Sequence, residues 1–156
     1  MRDAGDVCLS MRGERNEDAV IASLAGRQFG VVARRQLITA GVGRSAIDRR
    51  LRRRVLQRLH RGVYAFGHAT LTAEGRWLAA VLAAGPGAVL SHRSAGALWL
   101  VLKSGHIDVT VRGQNRPIKG VRFHRSQLPR DEITTVRGIP VTTVPRTLLD
   151  LSLIHI

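Results

Sequence analysis

The stretch Ser45 to Arg54, SAIDRRLRRR, constrains this chain more than any other. At about 100° per residue, Ile47 and Leu51 fall within roughly 40° of each other, while Ser45, Arg49, Arg52 and Arg53 project from the opposite side. Ser45 offers an oxygen to cap such a helix, which then carries Arg49, Arg50, Arg52, Arg53 and Arg54. A helix docked by two aliphatics and charged all over its outer face repels itself unless an anionic partner neutralises it, and the obvious partner is phosphate. The bland alternative is a solvated arginine face, and the flanking segments decide between the two. Arg54 rotates back to within about 20° of Ile47, so it is expected to end the helix, near the negative end of its dipole, rather than read a partner.

Those segments have the right form. Gly41-Val42-Gly43 is a turn, and a short helix through Arg34, Arg35, Gln36, Leu37, Ile38 and Ala40 precedes it. Two short helices around a glycine turn, the second basic outside, make the helix-turn-helix arrangement whose second helix enters the major groove. After Arg54 the apolar residues come in short pieces, Val55, Leu56 and Leu59, then Val63, Tyr64 and Phe66, broken by Gly62 and Gly67. They predict a two-stranded wing with Arg58, His60 and Arg61 near its tip, placed to lie along a sugar-phosphate backbone. His60 is a wing polar residue or phosphate contact in this reading rather than a catalyst, because no carboxylate or nucleophile lies near it in sequence.

Charge supports a nucleic-acid partner. The chain has 25 Lys+Arg against 11 Asp+Glu, a formal net charge of +14. Lys103 and Lys119 are the only lysines, so the charge is almost wholly arginine, which forks onto phosphates and guanine edges. The single cysteine, Cys8, excludes an internal disulfide and a cysteine-based zinc cluster. No apolar run approaches the roughly 18 residues of a membrane span, and the N-terminus lacks a secretory core, so no membrane partner and a cytoplasmic location are expected.

Along the chain, residues 1–15 have no sustained period and read as a disordered leader. Asn16 is the expected N-cap of a first helix with Val20, Ile21, Leu24 and Ala25 inward, so that 16–68 form a winged helix-turn-helix domain. Residues 69–151 form a second, helix-plus-antiparallel-sheet domain. Thr72 caps a helix to about Ala84, with Trp77 inward. Ala88 to Leu90 is a buried strand, and Ser91 caps the next helix. The alternating His106 to Val111 and Val121 to His124 are expected to pair as a hairpin across the loop GQNRPIKG, with Asp108 facing Arg122 or His124. Ile133 to Val136 and Ile139 to Val141 pair around Arg137-Gly138, and Thr143 starts a last helix. The tail 152–156, SLIHI, is not an expected continuation and is set aside as foreign or read-through sequence.

The run from FGVVARRQL through GVGRSAIDRRLRRRVLQRLHRGVYAFGH, then EGRWLAAVLAAGPGAVLSHRSAGALW and GIPVTTVPRTLLDL, resembles the AbiEi family antitoxins of type IV toxin-antitoxin systems. More narrowly, it resembles actinobacterial proteins that begin with an AbiEi-like winged-helix domain and often end in a nuclease-like domain. The similarity spans roughly residues 16–151. It implies an antitoxin or autorepressor that binds duplex DNA, with a nucleotidyltransferase-like toxin as a second partner of the C-terminal part.

No catalytic constellation competes. A metal-dependent nuclease needs clustered carboxylates, and the acids here are scattered. A nucleotidyltransferase needs paired acids on a strand, and Thr110 stands where the second would be. His106, Asp108 and His124 are the one candidate metal group, and a cross-strand ion pair is the commoner outcome. Ser91-His92 lacks a nucleophile elbow. We therefore expect an α+β protein that is not an enzyme and holds no cofactor or metal. Arg44, Ser45, Arg49, Arg52 and Arg53 are its DNA-binding residues on the helix, with Arg58 and Arg61 on the wing. Two alternatives stay open: the DNA-binding part of a larger nuclease-like protein, or an interaction module that neutralises a toxin without specific DNA binding.

Overall fold

A 24-residue helix, α1 (Ala4–Arg27), leads the chain, and a glycine reversal at Gly30 sends it into β1 (Val31–Ala33). In the computed structural model, which describes residues 4–67, 70–100 and 103–154, two units form, Met1–Thr70 and Leu71–Ile156. The domain boundary expected at 68–69 lies outside the described residues. No helix among those described is long and apolar enough to cross a membrane.

In the first unit β1 is followed by α2 (Arg34–Thr39), α3 (Arg44–Arg52), β2 (Leu56–His60) and β3 (Val63–Phe66). The three strands form an antiparallel sheet in the order β1-β3-β2. Gly62, at φ 72°, supplies the left-handed conformation that closes the β2–β3 wing. Ile21 and Ala25 of α1, Leu37 of α2, Ile47 of α3, Leu56 of β2 and Tyr64 of β3 share one buried core. The unit is thus a helix-turn-helix closed by a wing.

Three expectations are corrected here. The leader is helical from Ala4, and the chain passes through Asn16 within α1 rather than starting a helix there. Glu14 gives the reason, because its carboxylate pairs with Arg49 at 3.2 Å and its carbonyl accepts from Arg50 Nη2 at 3.2 Å. These contacts tie the turn of α1 around Glu14 to α3. The cap of α3 is Gly43, which makes no side-chain bond, so Ser45 lies exposed within the first turn. The wing, expected to have two strands, gains a third from residues 31–33.

The second unit runs α4 (Ala73–Ala84), β4 (Val89–Leu90), α5 (His92–Leu100), β5 (Ile107–Val111), β6 (Val121–Arg125), β7 (Ile133–Val136), β8 (Ile139–Thr142) and α6 (Val144–Ile154), with a 3-10 turn at Arg130–Glu132. Thr72 caps α4 by accepting from the Gly75 amide at 3.1 Å. The sheet order is β6-β5-β4-β8-β7. The α+β class holds, but the sheet is mixed. β5 and β6 run parallel, with Asp108 opposite Arg122 and Thr110 opposite His124, so the expected hairpin is wrong. The nine residues 112–120 carry the chain back along the sheet instead of reversing it, pinned by Asn115 Nδ2 on the Ala84 carbonyl at 2.7 Å. β7 and β8 do form the expected antiparallel pair, with Arg137 and Gly138 both at positive φ, 51° and 79°. Ser152 to Ile154, set aside with the tail, continue α6, and residues 155–156 lie outside the described residues.

Candidate nucleic-acid interface

The placement of α3 follows from its buried side. Ala46 and Ile47 sink into the core, and Arg50 is buried with them. The Arg50 guanidinium donates through Nε to Asp18 at 2.7 Å, pairs with Glu17 at 3.1 Å, and donates to the carbonyls of Ala46 and Glu14. Burial pulls its pKa down and the Asp18 and Glu17 bonds outweigh that, so it stays a cation. This arginine locks α3 onto α1. It is a structural residue that the charge pattern alone does not distinguish from its neighbours.

The other arginines divide by position. Arg44, Ser45, Arg52, Arg53 and Arg54 are exposed. Arg49 lies at the edge, half-exposed and paired with Glu14 of α1. Arg54 lies beyond the helix at φ 58°, just after the C-cap residue Arg53, as expected for a residue that ends it. On the wing, Arg58 and Arg61 are exposed, while His60 is half-buried and its pKa is lowered by desolvation. A histidine kept neutral is a poor phosphate ligand, which leaves the charge of the wing to the two arginines.

Between α3 and the wing runs a cleft of about 580 Å³, lined among others by Arg34, Asp48, Arg54, Arg58 and Tyr64. Arg34, the first residue of α2, donates through Nη1 to Asp48 Oδ1 at 3.0 Å and to Tyr64 Oη at 3.2 Å. The Tyr64 and Asp48 bonds together raise its pKa. This bridge was not foreseen, since Arg34 and Asp48 lie on different helices and no local spacing links them. A larger cleft of about 710 Å³ between α1 and α2 is lined mainly by apolar and small polar side chains and lies off the arginine face.

Residues 20–67 match a family model described as transcriptional regulator, AbiEi antitoxin. The match covers the last third of α1, the helix-turn-helix and the whole wing. The resemblance drawn from the sequence is borne out over this AbiEi-like segment. No curated protein matches the chain.

The second unit holds a separate cluster of polar side chains. His92 stacks on His124 with centroids 3.6 Å apart and planes 14° from parallel. His124 Nε2 bonds Asp108 Oδ1 at 2.9 Å, and His92 Nδ1 lies 2.9 Å from Ser91 Oγ and 3.9 Å from Asp150 Oδ2. Ser91 and Asp150 face the same ring nitrogen, so no serine–histidine–aspartate relay exists, and the Ser91 hydroxyl is buried and bonded to Thr110 at 2.8 Å. His106, part of the candidate metal group, is exposed, and no group of three ligating side chains that could hold a metal occurs among the described residues. Parallel stacked imidazoles aim their lone pairs within their own planes, which keeps the two rings from converging on one ion.

Proposed function

We propose that this chain is a sequence-specific duplex-DNA-binding regulator of the antitoxin type that represses its own transcription. The observation that carries the reading is the exposed face of α3, with Arg44, Ser45, Arg52 and Arg53, next to a wing bearing Arg58 and Arg61. The family match over 20–67 supports it. In this reading α3 lies in the major groove, and Arg44 and Arg52 supply base and phosphate contacts. Ser45 donates to the backbone near the start of α3, Arg53 and Arg49 meet flanking phosphates, and the wing arginines follow the sugar-phosphate chain.

The test is a gel shift on the DNA upstream of the protein's own gene, using the full chain and an Arg44→Ala/Arg52→Ala variant. Loss of discrimination between that DNA and random duplex marks base readout. Uniform loss marks phosphate contacts. Intact binding by the double variant sinks the assignment of α3.

A second reading gives the Leu71–Ile156 unit a protein partner, a nucleotidyltransferase-like toxin. It is favoured by the outer side of α6, where Leu148, Leu149 and Leu153 are 52%, 50% and 59% exposed. Co-purification with a nucleotidyltransferase encoded beside this gene, lost on Leu149→Asp, tests it; no co-purification with the wild-type chain discards it.

A further inference from the structure

Asp48 is the one acid on α3, and it lies on the same side of the helix as Arg44 and Arg52, four residues from each. A carboxylate in the middle of a phosphate-seeking face weakens every contact around it. Holding Arg34 does not account for it, because an ion pair with an Asp48 side chain 55% exposed and an Arg34 side chain 30% exposed contributes little to folding. Arg34 also has the Tyr64 hydroxyl as a second partner. Nor does Asp48 pair with Arg44 or Arg52 of its own helix. Its bond with Arg34 turns it to that side, where it lines the cleft between α3 and the wing.

We infer that Asp48 is a specificity-determining residue that accepts a hydrogen bond from the exocyclic amino group of a cytosine, an inference that rests on the DNA-reading role of α3 proposed above. An ionised carboxylate only accepts, so it selects for the donors of the major groove and against its acceptors. Guanine offers N7 and O6 and thymine O4, all acceptors. Adenine sets its N7 beside the N6 amino group and repels the second carboxylate oxygen, which leaves the cytosine N4 amino group as the matching donor. The Arg34 bridge fixes one oxygen and holds the side chain in a single direction, while more than half of the side chain stays open to an outside donor. The carboxylate thus gives up affinity for duplex DNA in general and gains rejection of wrong bases, a repulsive element of the kind that specific binders use.

The experiment is selection from a random duplex library with the full chain, its Asp48→Ala variant and its Asp48→Asn variant. The wild-type chain should enrich a motif with cytosine at one position of each site. Asp48→Ala should lose that preference by about tenfold at that position alone and bind random duplex more tightly than wild type. Asp48→Asn should move the preference to adenine, whose N6 and N7 suit an amide. An unchanged base profile in Asp48→Ala overturns the inference. So does a flattening of all positions together, or weaker binding of Asp48→Ala to random duplex, since either marks a carboxylate that only supports the fold. If the wild-type chain enriches no motif, the regulator reading falls and takes this inference with it, whereas a wild-type motif indifferent to Asp48 removes the inference alone.

Discussion

Arg50 Nε lies 2.7 Å from Asp18 Oδ1, and this bond, made by a buried guanidinium, ties the arginine-bearing helix α3 to the long helix α1, with β1 and α2 between them in the chain. The two ends of the pair are unequal, because the Asp18 side chain is 52% exposed and the Arg50 side chain 6%. Water solvates the acid if its partner is lost, but cannot reach the guanidinium if the acids are lost.

That asymmetry fixes a ranking of variants. Arg50→Met keeps the packing and leaves Asp18 and Glu17 to solvent, so it should cost no more than about 1–2 kcal/mol. Asp18→Ala with Glu17→Ala strands a buried charge and should cost about 3 kcal/mol or more. Urea unfolding followed by far-ultraviolet circular dichroism measures both, and equal costs would rule out the electrostatic lock.

Stability should also depend on pH through His92. Burial lowers its pKa and the facing His124 lowers it further, opposed by Asp150 and Asp108, with Arg146 adding to the lowering. The folded value therefore lies below the ordinary value of about 6.5. As pH drops below that value, the unfolded chain takes up a proton that folded His92 refuses, and stability falls until the folded pKa is reached. Trp77 and Trp99 both belong to the second unit, so tryptophan fluorescence reads this unit alone and not His60 of the wing. The urea midpoint should decrease between pH 7.5 and 5.5, and His92→Phe should reduce the slope. A midpoint flat across that range in the wild-type chain would contradict the sign.

These two networks show where the sequence was readable. The Ile47–Leu51 spacing identified α3, the glycine turn placed it second in a helix-turn-helix, and Gly62 between two apolar pieces placed the wing. Alternation along Ile107–Val111 and Val121–Arg125 gave strands and faces but not direction, since a parallel and an antiparallel pair show the same period of two. The helix over 4–15 was hidden for another reason. Its Glu14 bonds Arg49 and Arg50, more than thirty residues away, and such contacts leave no local periodicity. Of the arginine run, spacing sorted Arg54 correctly and left Arg50 unassigned, because an arginine on the buried side is recognisable only with its acids in place.

Salt dependence separates wing from helix. If Arg58 and Arg61 each neutralise a phosphate, replacing both with Gln should reduce the steepness of log affinity against log salt by roughly 0.9 per contact while leaving sequence preference intact. Titration of a fluorescent duplex between low and physiological salt measures the slope. An unchanged slope removes the wing from the interface.

The last helix carries the sharpest test of the second unit. Arg146 Nε donates to Asp150 Oδ1 at 2.8 Å and Nη1 pairs with Glu132 Oε2 at 2.7 Å, joining α6 to the turn before β7. Asp150 is 3% exposed and its Oδ2 has no hydrogen-bond partner, so Arg146 is the strongest compensation for a carboxylate removed from water. Arg146→Leu should therefore cost about 3–5 kcal/mol, the penalty of an unpaired buried charge. Adding Asp150→Leu removes that charge and should recover a large part of the loss, leaving an apolar pair in place of an ionic one. Tryptophan-monitored urea unfolding of the two single variants and the double gives the coupling. Additive losses would mean that Asp150 tolerates solitude, and that the stability of α6 lies in its packing rather than in this pair.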